Sequence, residues 1–96
     1  MSTAVRMWEA RVAPGRLDAA LAWVADEIVA AARAAGVGSY ELCSSTGPDE
    51  RIVLVTRWPA GVGFAEPDPP AGLLLRAQAW VFELVTAFPG PGSDPD

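Results

Sequence analysis

Apolar and polar positions change their rhythm along this chain, and each change marks an element. From Ala4 to Val12, Val5, Met7, Trp8, Ala10 and Val12 are interleaved with Arg6, Glu9 and Arg11, which suits a strand whose two faces are unequally wet. Pro14-Gly15 breaks it. From Leu17 the period lengthens: Leu17, Leu21, Val24, Ile28, Ala31 and Ala35 form one stripe of an amphipathic helix over about residues 16–35. Asp18 in its first turn and Arg33 in its last complement the helix dipole, and Gly36 supplies a left-handed stop. Trp23 lies about 120° from the centre of the stripe, so its ring is expected to fold over the helix flank. Asp26 and Glu27 are expected to face solvent.

The stretch Tyr40 to Pro59 then reads as two strands folded back across Gly47-Pro48-Asp49. In the second of them, Arg51 to Trp58, Ile52, Leu54 and Trp58 alternate with Val53 and Val55. Both faces are apolar, which predicts a central strand buried on both sides. Residues 61–72 carry Pro67, Pro69 and Pro70 among Gly61, Gly63 and Gly72, too broken for a long helix. A short helix is predicted from Asp68, as N-cap, to about Arg76. Gln78 to Thr86 reads as the last strand, with Trp80, Phe82 and Leu84 on one face and Val81 and Val85 on the other. One domain over residues 4–88 is followed by a proline- and glycine-rich tail, 89–96, that has nothing to bury.

The order strand, helix, strand, strand, reduced helix, strand predicts an α+β fold, the split βαβ arrangement of ferredoxin-like domains with a four-stranded antiparallel sheet. A right-handed crossover lays the helix on one sheet face and leaves the third strand beside the first. The last two strands nevertheless offer large apolar residues to both sides. A second sheet is the expected neighbour, and a two-fold homodimer supplies it.

Composition narrows the chemistry. The chain has 96 residues, a net charge of -5 and no lysine, which argues against nucleic acid and against an acidic membrane surface as partners. Cys43 is the single cysteine, so no internal disulfide is expected, and the absence of histidine removes the commonest metal ligand and proton shuttle. No metal or cofactor is expected. The first twelve residues hold arginine and glutamate within their apolar run, unlike a signal peptide or a membrane span, and predict a cytoplasmic protein.

Two stretches, MWEARVAPGRLDAALAWV and RIVLVTRW, resemble the first strand and helix, and a third strand ending in tryptophan, of the small dimeric α/β-barrel proteins of the antibiotic biosynthesis monooxygenase type. The likeness spans about Ala4 to Thr86. It implies a dimeric barrel and, in some members, cofactor-independent oxygenation of polycyclic aromatic molecules. The chain departs from that pattern where a proline-rich segment stands for the second helix, and in lacking the histidine and asparagine of the haem-degrading branch.

The aromatic residues Tyr40, Trp58 and Trp80 would line a flat apolar slot if they converged, with Arg57 or Arg76 at its mouth to hold a phenolate or carboxylate. Such a slot is expected between the sheet and the helical layer, and its ligand would be a small aromatic or polyketide-like molecule. Against it stands the ordinary use of strand aromatics as core and interface. Glu9, Glu41 and Glu83 read as solvent-facing or salt-bridged carboxylates rather than bases, and Cys43, with no histidine to activate it, as a buried inert thiol. Two classes follow: an oxygenase-like enzyme, or a non-catalytic domain that binds a ligand or assembles. A third, a subunit that recruits a partner along the edge of the second strand, stays open beside them.

Overall fold

The computed structural model describes residues 3–88. Strands β1 (Ala4–Val12), β2 (Ser39–Ser44), β3 (Arg51–Trp58) and β4 (Leu74–Glu83) form one antiparallel sheet in the order β2-β3-β1-β4. Between β1 and β2, the α-helical stretches α1 (Leu17–Trp23) and α2 (Ala30–Ala34) are joined without a break through π-helical residues Val24–Val29. One helix on a four-stranded antiparallel sheet of this order is an α+β fold of the ferredoxin-like kind.

The helix packs over β1 and β3. Trp8, Ala10 and Val12 of β1 and Ile52 and Leu54 of β3 form the core with Ala20, Val24, Ile28 and Val29. The predicted stripe holds through Ile28 and then moves by one residue: Ala32 is buried, whereas Ala31 is half-buried and Ala35 exposed. The π-helical turn explains the shift, because its wider i→i+5 turn absorbs one extra residue and lets consecutive Ile28 and Val29 both enter the core. Trp23 packs against the flank of that core, and Asp26 and Glu27 are exposed. At the helix end Gly36 adopts φ +95. The Val37 amide donates to the Ala32 carbonyl (3.0 Å) and that of Gly36 to Arg33 (3.2 Å), the paired bonds of a Schellman stop.

Two expectations need correction. Residues 68–76 form no helix: they run irregularly to a turn at residues 71–73 and enter β4 at Leu74. Pro67, Pro69 and Pro70 lack amide donors, and Gly72, at φ +79, reverses the chain after a single turn in which the Leu73 amide bonds to the Pro70 carbonyl (3.3 Å). The last strand accordingly begins four residues before Gln78 and ends three before Thr86. Its end follows its neighbour, since Glu83 pairs with Ala4, the first residue of β1, and the Leu84 amide reaches the Thr3 carbonyl. The segment 89–96 lies outside the described residues.

The third strand is central, but its burial alternates. Ile52, Leu54, Thr56 and Trp58 are buried beneath the helix, while Arg51, Val53, Val55 and Arg57 on the other side are only half-buried. Nothing in the described chain covers that second face. Among the described residues, no helix is long and apolar enough to cross a membrane.

Candidate functional site

Successive strand residues point to opposite faces and directly paired residues share one, so the registers sort every candidate. Tyr40 pairs with Thr56 and lies, with Trp58, on the face that carries the helix. Arg57 pairs with Val5, Arg76 with Arg11 and Trp80 with Met7, and all of these belong to the opposite, open face. The sheet therefore separates Tyr40 and Trp58 from Arg57, Arg76 and Trp80. Arg57 and Arg76 are also kept apart along the sheet, lying six β1 residues from one another, about 20 Å. Neither guanidinium stands at the mouth of a slot beneath the helix.

One end of that space is instead occupied by the proline-rich segment, which sets two side chains over Trp58, Arg6 and Trp8. Phe64 stacks on Trp58, ring centroids 5.1 Å apart and planes 18° apart. Glu66 reaches the same end of the sheet, where its Oε1 accepts from Arg6 Nη2 and its Oε2 accepts from Trp8 Nε1 at 2.9 Å. The Arg6 guanidinium also lies over the Phe64 ring at 5.3 Å. Trp58 Nε1 donates to Thr56 Oγ1 at 2.8 Å, so each fully buried indole has an acceptor, as burial of its N–H requires. Arg6 Nη1 alone is buried with no partner among the described residues.

Arg6, Thr56, Phe64 and Glu66 were not candidates from the sequence. The signal that could have found Phe64 is its isolation: it is the one aromatic residue between Trp58 and Trp80, set in an otherwise small and polar stretch. Both carboxylate oxygens of Glu66 are engaged by structural donors, which leaves it poorly placed to take a proton from a ligand. Glu9 is half-buried on the open face, and Glu41 and Glu83 are exposed. Cys43, expected to be buried, is exposed; it sits on the edge strand β2 opposite Val53, where no element covers it.

The open face has its own composition. Val5, Met7, Val53, Val55, Trp80 and Phe82 make an apolar field, of which Met7, Trp80 and Phe82 are 38%, 43% and 52% exposed. Across one end runs a row of three arginines: Arg11 is paired directly with Arg51 on one side and Arg76 on the other. Asp49 contacts two of them, Arg11 at 3.0 Å and Arg51 at 3.8 Å. At the other end Arg57 meets Glu41 at 3.6 Å. Beside the row is a shallow cleft of about 200 Å³ bounded by Arg11, Pro14, Pro48, Glu50 and Leu75. β4 is also bare toward the helix side, where Ala77, Ala79 and Val81 are exposed, because no second helix lies over them.

Comparison of the chain with protein-family models, with curated proteins and with solved structures gives no match.

Proposed function

We propose that this chain is a non-catalytic assembly domain that works as a homodimer, the open sheet faces of two copies packed on one another as in the dimeric α/β-barrel proteins of the antibiotic biosynthesis monooxygenase type that it resembles. The observation that carries the reading is the exposed apolar field of Met7, Trp80 and Phe82, which runs from the central strand β1 to the edge strand β4 on the uncovered face. An uncovered field of this kind marks a contact surface. Four strands of about eight residues span roughly 19 Å by 26 Å, and with its side-chain relief such a face approaches the ~800 Å² per partner of a standard interface.

Assembly is favoured over oxygenation by the state of the other face. An oxygenase-like slot for a small aromatic or polyketide-like molecule belongs between sheet and helix, and there Trp8 and Trp58 are each 1% exposed, with Phe64 laid over the second. Of the side chains that would bind and deprotonate a phenol, Glu66 is committed to Arg6 and Trp8 and Arg57 to Glu41, while Arg76 lies on the opposite sheet face.

The test is light scattering coupled to size exclusion at micromolar concentration. A mass twice the 10.0 kDa of one chain is expected for wild type, and the single-chain mass for Trp80→Glu, which puts a charge in the apolar field. A wild-type mass of one chain overturns the reading. Binding of a phenolic anion, followed by dioxygen uptake, would move the protein to the oxygenase-like class.

A further inference from the structure

The row of Arg51, Arg11 and Arg76 makes a demand that the described chain does not meet. Directly opposed residues on neighbouring strands have Cβ atoms only about 5 Å apart, and like charges so placed repel. The row lies on one face in a chain whose net charge is -5, and that face holds four of its seven arginines, Arg57 being the fourth. Asp49 answers Arg11 and Arg51. Among the described residues Arg76 has no carboxylate partner.

Charge also limits how two open faces can meet. A two-fold axis parallel to the strands would lay the arginine row of one copy on that of the other. An axis in the interface but perpendicular to the strands avoids this, placing each row over the far end of the partner's sheet, where Val5 and Phe82 lie and Arg57 is already paired with Glu41. In that arrangement β4 lies over β4 of the second copy, with Arg76 of each above the end of the strand in the other. The chain leaves the sheet at this end, where the Leu84 amide bonds to the Thr3 carbonyl at 2.8 Å.

After Arg76 the chain contains no cation, and its remaining charges are Glu83, Asp94 and Asp96. We propose that the Arg51, Arg11 and Arg76 row is a carboxylate-binding strip whose occupant is the acidic segment around Asp94 and Asp96 of a second copy of this chain. The proposal rests on the paired-sheet reading above. Reach supports a second copy over the same one. Stacked sheets lie about 10 Å apart, whereas the chain's own Arg76 is about 26 Å back along β4 from Leu84. The ten residues from Leu84 to Asp94 extend to at most about 36 Å, so the partner's row is reached with ample slack, and the chain's own only after a reversal and at about three-quarters of full extension. Arginine suits the task because its planar fork takes a carboxylate bidentately.

A mixed-label paramagnetic experiment tests this in the full chain. A nitroxide is placed at Ser93→Cys in a Cys43→Ser background, and this chain is mixed with isotope-labelled Cys43→Ser chain carrying no nitroxide. The amides of Arg11, Arg51 and Arg76 in the labelled chain should lose intensity about twofold or more at low salt and regain it near 0.5 M salt, where the screening length is only about 4 Å. The loss should also vanish when Asp94→Asn and Asp96→Asn are introduced, or when the labelled chain carries Arg11→Gln and Arg76→Gln. Absence of broadening at the row in a sample whose mass is that of a dimer overturns the strip and leaves the paired-sheet reading standing. A single-chain mass with no broadening overturns both. Broadening that appears only when nitroxide and isotope share one chain, or that survives neutralising the two aspartates, also overturns the proposal.

Discussion

The ring of Phe64 lies on the indole of Trp58 at a centroid distance of 5.1 Å, so a residue from an irregular, proline-rich segment closes the core of a sheet that lacks its second helix. The stack ties that segment to the last residue of a central strand. Phe64→Ala should lower stability by about 2 kcal/mol, less than the 3 to 5 kcal/mol expected for emptying a fully buried aromatic site, because Phe64 is itself only half-buried. Trp58→Ala should reach that larger range. Chemical denaturation followed by far-UV circular dichroism gives both numbers, and equal losses would mean that the two rings do not divide the role this way.

Glu66 joins a charge and a buried N–H in one carboxylate. Glu66→Ala strands the Arg6 guanidinium, whose side chain is 13% exposed, and the Trp8 indole together, and should cost about 2 to 3 kcal/mol, the scale of hydrogen bonds to a charged group. Glu66→Gln keeps an acceptor for one of the two and should cost less. Denaturation midpoints of the two variants check the order; a cost for glutamine as large as for alanine would place the whole effect in the ion pair.

Gly38 is needed for space. Its amide donates to the Arg57 carbonyl at 2.8 Å, and a Cβ there would stand 3.2 Å from that oxygen and 3.0 Å from Pro59 Cδ. Gly38→Ala should cost about 1 to 3 kcal/mol, the range of overpacking, and should loosen the end of β2 before the rest of the sheet. Hydrogen exchange read at Tyr40 and Arg57 would show this as faster exchange there than at Leu54.

Cys43 is an exposed thiol on the open face, which makes it a reporter of sheet pairing. Its reaction with a thiol reagent should slow as protein concentration rises through the dimer dissociation constant, and should stay fast at all concentrations in Trp80→Glu. A rate independent of concentration in a protein of dimeric mass would mean that the faces meet without covering the β2 edge.

Much of the fold was legible in the sequence because it depends on short-range pattern. The bounds of β1 and β3 follow from alternation, the helix from its stripe, its end from Gly36, and the place of β3 beside β1 from the crossover that lays the helix on one face. The helical stripe could be followed only to Ile28, because a π-helical turn changes the period and nothing in VADEIV distinguishes it from an ordinary turn. The bounds of β4 were misplaced for a different reason. Leu74, Leu75 and Arg76 have no strand signature of their own, and extend β4 because β1 offers them partners.

What the sequence by itself determined about this protein is therefore the α+β architecture, a four-stranded antiparallel sheet with one long helix after its first strand, since burial periodicity and turn chemistry are local properties. Only the tertiary structure decided how the chemistry is distributed. Strand register set Tyr40 and Trp58 on one face and Arg57, Arg76 and Trp80 on the other. Register aligned Arg51, Arg11 and Arg76, residues separated by up to 65 positions, into one row. The turn that follows β3 brought Phe64 and Glu66 back onto Trp58, Trp8 and Arg6. Apart from Phe64 on Trp58, these pairings are long-range, made by which segments lie side by side, and no spacing within a single stretch of the chain encodes them.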